Sequence, residues 1–404
     1  MKNFVIFGAS GDLAKNYLFP ALINLKNSGH QFNYFGFGRS PFKTEAIDLK
    51  YIQGNYDLAG ISQLKPYLTS PTIYYLAIPT EINLIKNIIN SLNSLDLITD
   101  QTRLVIEKPF GSDLASAKEL MAYFHHLNLA SNVFLVDHFL TKNLVKNIIS
   151  LRFANSIFSD LWNSKYISEI NFIIAESRSL AGRGGYYDKT GEIRDMIQNH
   201  LLQLLTLVTM DSPDSFDQQA FIHKKLAILN SVEVVPSSVE IGQYHGYLSE
   251  AGVNSSSQTE TLAKMTFNIH TPQWSGVPFN VSTGKKLNQT LTEINIIFKP
   301  LKDCLWGEDC QNLIPNQLTI SLKPKNDIVL TLNSSFNPHK IIPQPITLSL
   351  GSLDITSSAY ENVILDVIDN VKYNTPSFEE ILVQWQIVDH ILNLPHLRDH
   401  LFYY

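Results

Sequence analysis

The opening residues restrict the fold more than any other part of the chain. Phe4-Val-Ile-Phe7 is a short apolar strand that runs directly into Gly8-Ala-Ser-Gly11-Asp-Leu-Ala14-Lys15, and a helix-like run, Tyr17 to Leu25, follows. Strand, small-residue turn and helix in that order begin a dinucleotide-binding unit. The glycines let the backbone approach a pyrophosphate, which rests on the helix N-terminus. The spacing Gly-x-x-Gly-x-x-Ala is a variant of the commoner pattern, and its placement between strand and helix gives it weight. Gly8, Ser10, Gly11, Asp12 and Leu13 are the candidate contacts in this turn.

The second strand, Phe32 to Gly38, ends in Arg39-Ser40. An acidic residue there would hold the ribose hydroxyl of NAD, whereas a basic one suits the 2′-phosphate of NADP. Arg39 and Ser40 therefore point to NADP. Buried parallel strands are expected at Thr72–Ile78, Thr102–Ile106 and Asn132–Val136, with helices at Glu81–Leu95 and Leu114–Leu127 between them. Ligands of open α/β sheets meet the carboxyl ends of the strands. Two such ends carry chemistry: Glu107-Lys108-Pro109-Phe110-Gly111 and Asp137-His138-Phe139-Leu140-Thr141-Lys142.

After Lys142 the alternation stops. Asn143 to Trp162 reads as helical and Ile167 to Ala175 as a strand ending in Glu176. Farther on, 262–269, 291–298 and 317–322 alternate at period two, and a turn at 324–327 joins the last to 328–332. The fold class is thus α/β plus α+β. A Rossmann-like doubly wound sheet, residues 1–140, precedes a domain, 141–404, with a large, mostly antiparallel sheet covered by helices.

Within the second domain lies the stretch from Gly182 through Arg183-Gly-Gly-Tyr-Tyr-Asp188 to Gln203, a glycine-rich loop leading into an apolar helix, Met196 to Met210. Asp195, Gln198, Asn199 and His200 cluster at its start, an arrangement suited to a site rather than a core. A histidine is the natural proton acceptor near neutral pH. Positions five apart lie roughly 140° round an α-helix, so Asp195 and His200 need not touch, and the carboxylate that orients His200 can come from elsewhere.

A net charge of −6 with no basic block argues against nucleic acid or an anionic membrane as partner. No apolar run is long enough to span a bilayer, and the first is too short for a signal peptide. Cys304 and Cys310 could pair or bind metal; with no histidine beside them and no further cysteine, the favoured reading is two ordinary thiols of a reduced compartment. A cytoplasmic location is expected.

Taken together, these segments resemble the glucose-6-phosphate dehydrogenase family over nearly the whole chain. The carriers are the turn Gly8–Lys15, Glu107-Lys-Pro, Asp137-His-Phe-Leu-Thr-Lys142, Leu151-Arg-Phe-Ala-Asn155 and Arg183–Asp188. Ile193–Gln203, Trp274-Ser-Gly-Val-Pro-Phe279, Lys285 and Ala359-Tyr-Glu361 extend the resemblance to the C-terminal half. It implies an NADP-linked oxidation of glucose 6-phosphate at C1 and no metal. His200 would be the general base, oriented by Asp137. Lys108 would bridge substrate and cofactor, and Glu176 and Asp195 would hold sugar hydroxyls. His138, Lys142 and Lys285 would hold the 6-phosphate. A homo-oligomer, dimer or tetramer, is implied, without a second structural NADP site.

The departures concern phosphate contacts. Phe139 stands in place of a tyrosine, Thr141 of a glycine and Thr290 of an arginine, while Arg178 is new in an altered loop. Losing one charge-assisted contact costs roughly 1.5–3 kcal/mol, about one to two decades of affinity. The alternatives are a C1 dehydrogenase for another aldose or aldose phosphate, and a non-catalytic NADP- or sugar-responsive protein.

Overall fold

The computed structural model describes residues 2–69, 71–180, 182–307, 310, 313–335, 341, 343–349 and 358–404. Two compact units are present. One comprises Met1–Asn143, Pro213–His223 and Thr356–Trp385, the other Leu144–Ser212, Lys224–Ile355 and Gln386–Tyr404.

The first unit holds six parallel strands: β1 (Lys2–Phe7), β2 (Phe32–Gly38), β3 (Leu49–Gln53), β4 (Thr72–Leu76), β5 (Arg103–Glu107) and β6 (Val133–Val136). Their order is β3-β2-β1-β4-β5-β6. Continuous burial along β1 and β4 fits strands covered on both faces. Phe7 pairs with Phe37 on one side and Leu76 on the other, so Gly8 emerges where the strand order reverses. That is the crevice in which doubly wound sheets bind ligands. β3 was absent from the sequence expectation. The helices Ile82–Ser94 and Leu114–His126 fall within a residue of those expected at each end, the second capped by Asp113, whose side chain accepts from Ser116 N.

The expected boundary at 140 falls near the end of the first segment, Asn143, but the later segments 213–223 and 356–385 also belong to this unit. The reason is packing. Helix Ala359–Ile368 places Tyr360, Val363, Ile364 and Val367 at helical spacing in one buried cluster with Phe4, Ile6 and Leu22. Each such side chain contributes about 1.5–3 kcal/mol when buried. Asn24 Nδ2 donates to Glu361 Oε1 at 2.8 Å, and Trp385 Nε1 donates to the Phe110 carbonyl at 3.0 Å.

The second unit is built on a sheet of ten strands among the described residues. They are β7 (Ile167–Ala175), β8 (Val232–Val234), β9 (Glu240–Gln243), β10 (Leu262–Ile269), β11 (Phe279–Gly284), β12 (Leu291–Phe298), β13 (Gln317–Lys323), β14 (Asp327–Ser334), β15 (Gln344–Ser349) and β16 (Phe402–Tyr403). The order is β15-β14-β13-β12-β7-β11-β10-β9-β16, with β8 beside β10. Antiparallel pairs dominate; β7–β11 and β9–β16 are parallel. The longer strands were anticipated. β11, rich in Ser, Thr, Gly and Asn, was not, and it leads directly to Lys285.

The thiol reading is corrected. Cys304 and Cys310 form a disulfide in the connection from β12 to β13, their Cα atoms 6.0 Å apart. Among the described residues no helix is long and apolar enough to cross a membrane.

Candidate active site

In the first unit the glycine turn has no room for side chains. Gly8 adopts φ +82°, and a Cβ there would run into the Ala77 carbonyl oxygen. Gly11 N donates to Gly8 O at 2.9 Å, and a short π-helical segment, Ala14–Leu18, leads into helix Phe19–Asn27. Ser10 and Leu13 are partly buried and Asp12 is exposed beside them. A tight glycine turn leading into a helical run suits a close-lying pyrophosphate.

Arg39 and Ser40 are exposed at the end of β2. The Arg39 guanidinium lies 5.6 Å from the Tyr56 ring centroid, at a cavity of about 460 Å³ that Gln53, Asn55 and Gln63 also line. The Ser40 carbonyl accepts from Tyr51 OH at 2.5 Å.

The ends of β4, β5 and β6 carry the second group. Tyr75 OH donates to Glu107 Oε1 at 2.5 Å. Burial pushes the Glu107 carboxyl up to about 7; nearby Asp137 adds to this, while the Tyr75 bond and Lys108 oppose it. Lys108, next along the chain, is half-buried. Asp137 is buried, and its Oδ1 accepts from Phe139 N at 2.9 Å, which fixes the strand end. The His138 ring stacks on Tyr360 with centroids 6.0 Å apart. Lys142 Nζ sits 3.4 Å from the centroid of Phe139, so the ring that lacks a hydroxyl still meets the cation. Thr141 Oγ1 reaches the carbonyls of His138 and Ala359 at 3.1 and 3.0 Å.

In the second unit, the focal stretch differs from the expectation in two ways. The glycine-rich part is helical, Gly184–Glu192, and is broken at Gly191, whose φ of +73° marks a kink. The segment Ile193–Leu201 is π-helical before α-helix resumes at Leu202–Thr209. A π-helix closes i→i+5 bonds, so residues five apart come round to the same side. Asp195 and His200 therefore share a side, which corrects the α-helical angle argued from sequence. His200 is 2% exposed, and its N–H donates to Asn199 Oδ1 at 2.7 Å.

The far end of this run is tightly held. Arg152 donates to the carbonyls of Leu207 and Met210, both at 2.7 Å, Trp162 Nε1 to Val208 O at 2.7 Å and Trp274 Nε1 to Thr209 O at 2.8 Å. Four carbonyls that a helix end leaves without partners are thereby satisfied.

Lys285 gathers the acids. Its Nζ lies 2.7 Å from Glu176 Oε2, 3.3 Å from Asp195 Oδ2 and 3.6 Å from Glu192 Oε2. Burial works against the ammonium, but Glu192, Asp195 and Glu176 outweigh it and hold the Lys285 pKa above that of an ordinary lysine. Thr290 bonds Ser177, Oγ to Oγ at 2.8 Å, and Arg178 is exposed, its carbonyl accepting from Lys286 N at 3.1 Å. Glu192, with its partners Tyr187 and Thr283, was missed from sequence; burial alone sets it apart, and no motif signals it.

Residues 149–404 match the family described as glucose-6-phosphate dehydrogenase, C-terminal domain, and residues 5–60 and 58–147 match its NAD binding domain. The chain is 32% identical to glucose-6-phosphate 1-dehydrogenase of Streptococcus pneumoniae serotype 4, over 96% of this chain and 89% of that one. It is 32% identical to the cytoplasmic isoform of Solanum tuberosum, over 97% and 86%. Among solved structures, a glucose-6-phosphate dehydrogenase in complex with its substrate glucose 6-phosphate is similar with a TM-score of 0.90 and 30% identity, covering 100% of this chain and 94% of that one. The enzyme from Mycobacterium avium gives 0.89 and 28%, covering 100% and 93%.

Proposed function

Since the chain belongs to the glucose-6-phosphate dehydrogenase family, we propose that the groups described above divide the work of one dehydrogenation. The protein oxidises glucose 6-phosphate at C1 to 6-phosphogluconolactone with NADP, the opening step of the oxidative pentose phosphate pathway. When bound, NADP supplies the hydride acceptor. Gly8, Ser10, Gly11, Asp12 and Leu13 hold its pyrophosphate, Arg39 and Ser40 its 2′-phosphate, and Lys108 spans the gap to the sugar.

The proton leaves by His200. Its imidazole takes the proton of the anomeric hydroxyl as C1 gives up hydride, and the resemblance assigns Asp137 as the carboxylate that orients it and steadies the imidazolium. One observation supports this reading: the segment Ile193–Leu201 is π-helical, which brings positions five apart, such as Asp195 and His200, nearer round the axis than an α-helix would, and Asp195 pairs with Lys285 at 3.3 Å. Glu176 and Asp195 accept from sugar hydroxyls. Lys285, with three carboxylates around it, is better suited to a hydroxyl than to a dianion, which those carboxylates repel. This leaves His138 and Lys142 to the 6-phosphate, a pair consistent with the Lys142–Phe139 contact.

His200→Asn is the test. Followed by the absorbance of the reduced nicotinamide, kcat with glucose 6-phosphate falls by about 10²–10⁴ while NADP binding persists. Turnover within a few-fold of wild type overturns the assignment. Unphosphorylated glucose run in parallel reports on His138 and Lys142. A homo-oligomer, dimer or tetramer, and a cytoplasmic location complete the reading. Light scattering that gives a monomer overturns the first, and fractionation with a membrane or organelle overturns the second.

A further inference from the structure

Glu192 has no part in the chemistry above, yet it is the most deeply buried acid around Lys285. It is 1% exposed, and both carboxylate oxygens are engaged: Oε1 accepts from Thr283 Oγ1 and Oε2 from Tyr187 OH, each at 2.6 Å. Oε2 also faces Lys285 Nζ at 3.6 Å, too long for a hydrogen bond and close enough for strong attraction in a dry environment. The ammonium is therefore shared. Glu176 and Asp195 draw it toward the sugar site, and Glu192 draws it back toward the sheet.

We propose that Glu192 is a positioning residue for Lys285: it anchors the ammonium between the two acids that meet the sugar, and its charge sets how well the site receives an anionic sugar. This rests on the reading of Lys285 as a sugar contact.

The surroundings support a charge that changes in the working range. The facing groups are Lys285 after β11, Asp195 on the π-helical segment that follows, Tyr187 on the same helix and Tyr404 at the chain end, whose hydroxyl donates to the Lys285 carbonyl at 2.7 Å. Glu260 lies behind the kink, its carbonyl accepting from Glu192 N at 3.0 Å and its carboxylate paired with Arg398 at 2.5 Å. One ammonium cannot neutralise three acids. Burial pushes the Glu192 carboxyl up to about 7, Asp195 adds to this, and Lys285 with the two hydroxyl donors opposes it. Protonated, Glu192 keeps its hydrogen bonds and gives up its hold on Lys285. Ionised, it holds the Lys285 ammonium in place.

Two substitutions separate the charge from the rest of the side chain. Glu192→Gln keeps the shape, removes the charge that holds Lys285 and leaves one acceptor oxygen where the carboxylate has two; Glu192→Ala removes the side chain altogether. KM for glucose 6-phosphate is measured for the full chain at saturating NADP, from about pH 6 to about pH 8.5, as a ratio to wild type so that titration of the substrate cancels. For Glu192→Gln the ratio is near unity at the acid end and rises about fivefold at the alkaline end, with NADP KM unmoved. For Glu192→Ala sugar KM rises at least as far at the alkaline end, while kcat changes less. A Gln ratio that is flat with pH, or an Ala variant with wild-type sugar KM, overturns the proposal. Lys285→Ala is the reference. If it raises sugar KM while both Glu192 variants behave as wild type, only the role of Glu192 fails. If it leaves sugar KM unchanged, the reading of Lys285 fails and the proposal with it.

Discussion

Replacing Glu107 by glutamine should make the protein more stable in alkali, relative to wild type, than in acid. The Glu107 carboxyl is fully buried and pushed from an ordinary 4.5 up to about 7 by that burial, with Tyr75 as its hydrogen-bond donor. Between those values the folded chain binds a proton that the unfolded chain does not, so stability falls as pH rises through this window. At about 1.36 kcal/mol for each tenfold difference in proton affinity, a gap of this width is worth about 3 kcal/mol. Glutamine is neutral throughout and still offers an oxygen to Tyr75. Urea unfolding of both proteins at about pH 5 and about pH 8 should show the variant gaining about 3 kcal/mol on wild type between the two. Parallel stability curves across that range would refute the reasoning, because they would mean that Glu107 binds its proton alike in both states.

Two further outcomes follow from the geometry. Arg39→Ala removes a charge-assisted contact to the 2′-phosphate, so KM for NADP rises about 10- to 100-fold while KM for NAD changes little; equal losses for both would refute the assignment. Arg152→Met leaves the Leu207 and Met210 carbonyls without their donor and should cost about 2–4 kcal/mol in urea unfolding, and wild-type stability would show that other donors take over.

Strand ends were the most legible feature, because in an open parallel sheet the ligand-facing residues must follow the last buried position. Glu107-Lys108 and Asp137-His138 were located by that rule, and Gly8 by the glycine turn that follows the first strand. What escaped were features without a periodic signal. β3 is a short edge strand with Lys50 and Gln53 exposed, and β11 interleaves Ser and Thr with its apolar residues. The π-helical turn is invisible to an argument from spacing, since Met196, Ile197 and Leu201 fit an α-helix as well. The angle between Asp195 and His200 was misjudged for that reason. Glu192 reads as one more charge in a polar stretch; only burial beside Lys285 gives it meaning.

The return of the chain to its first unit has a consequence for biosynthesis. Helix Ala359–Ile368 closes the core begun by Phe4 and Ile6, yet the stretch between Asn143 and Ala359 takes roughly 10–40 s to translate. For that interval the nascent cofactor-binding unit leaves the ribosome with an apolar wall missing, exposed to chaperones and proteases. A premature stop before Ala359 would therefore remove more than a tail: it would leave the first part of the protein to be made permanently unfinished.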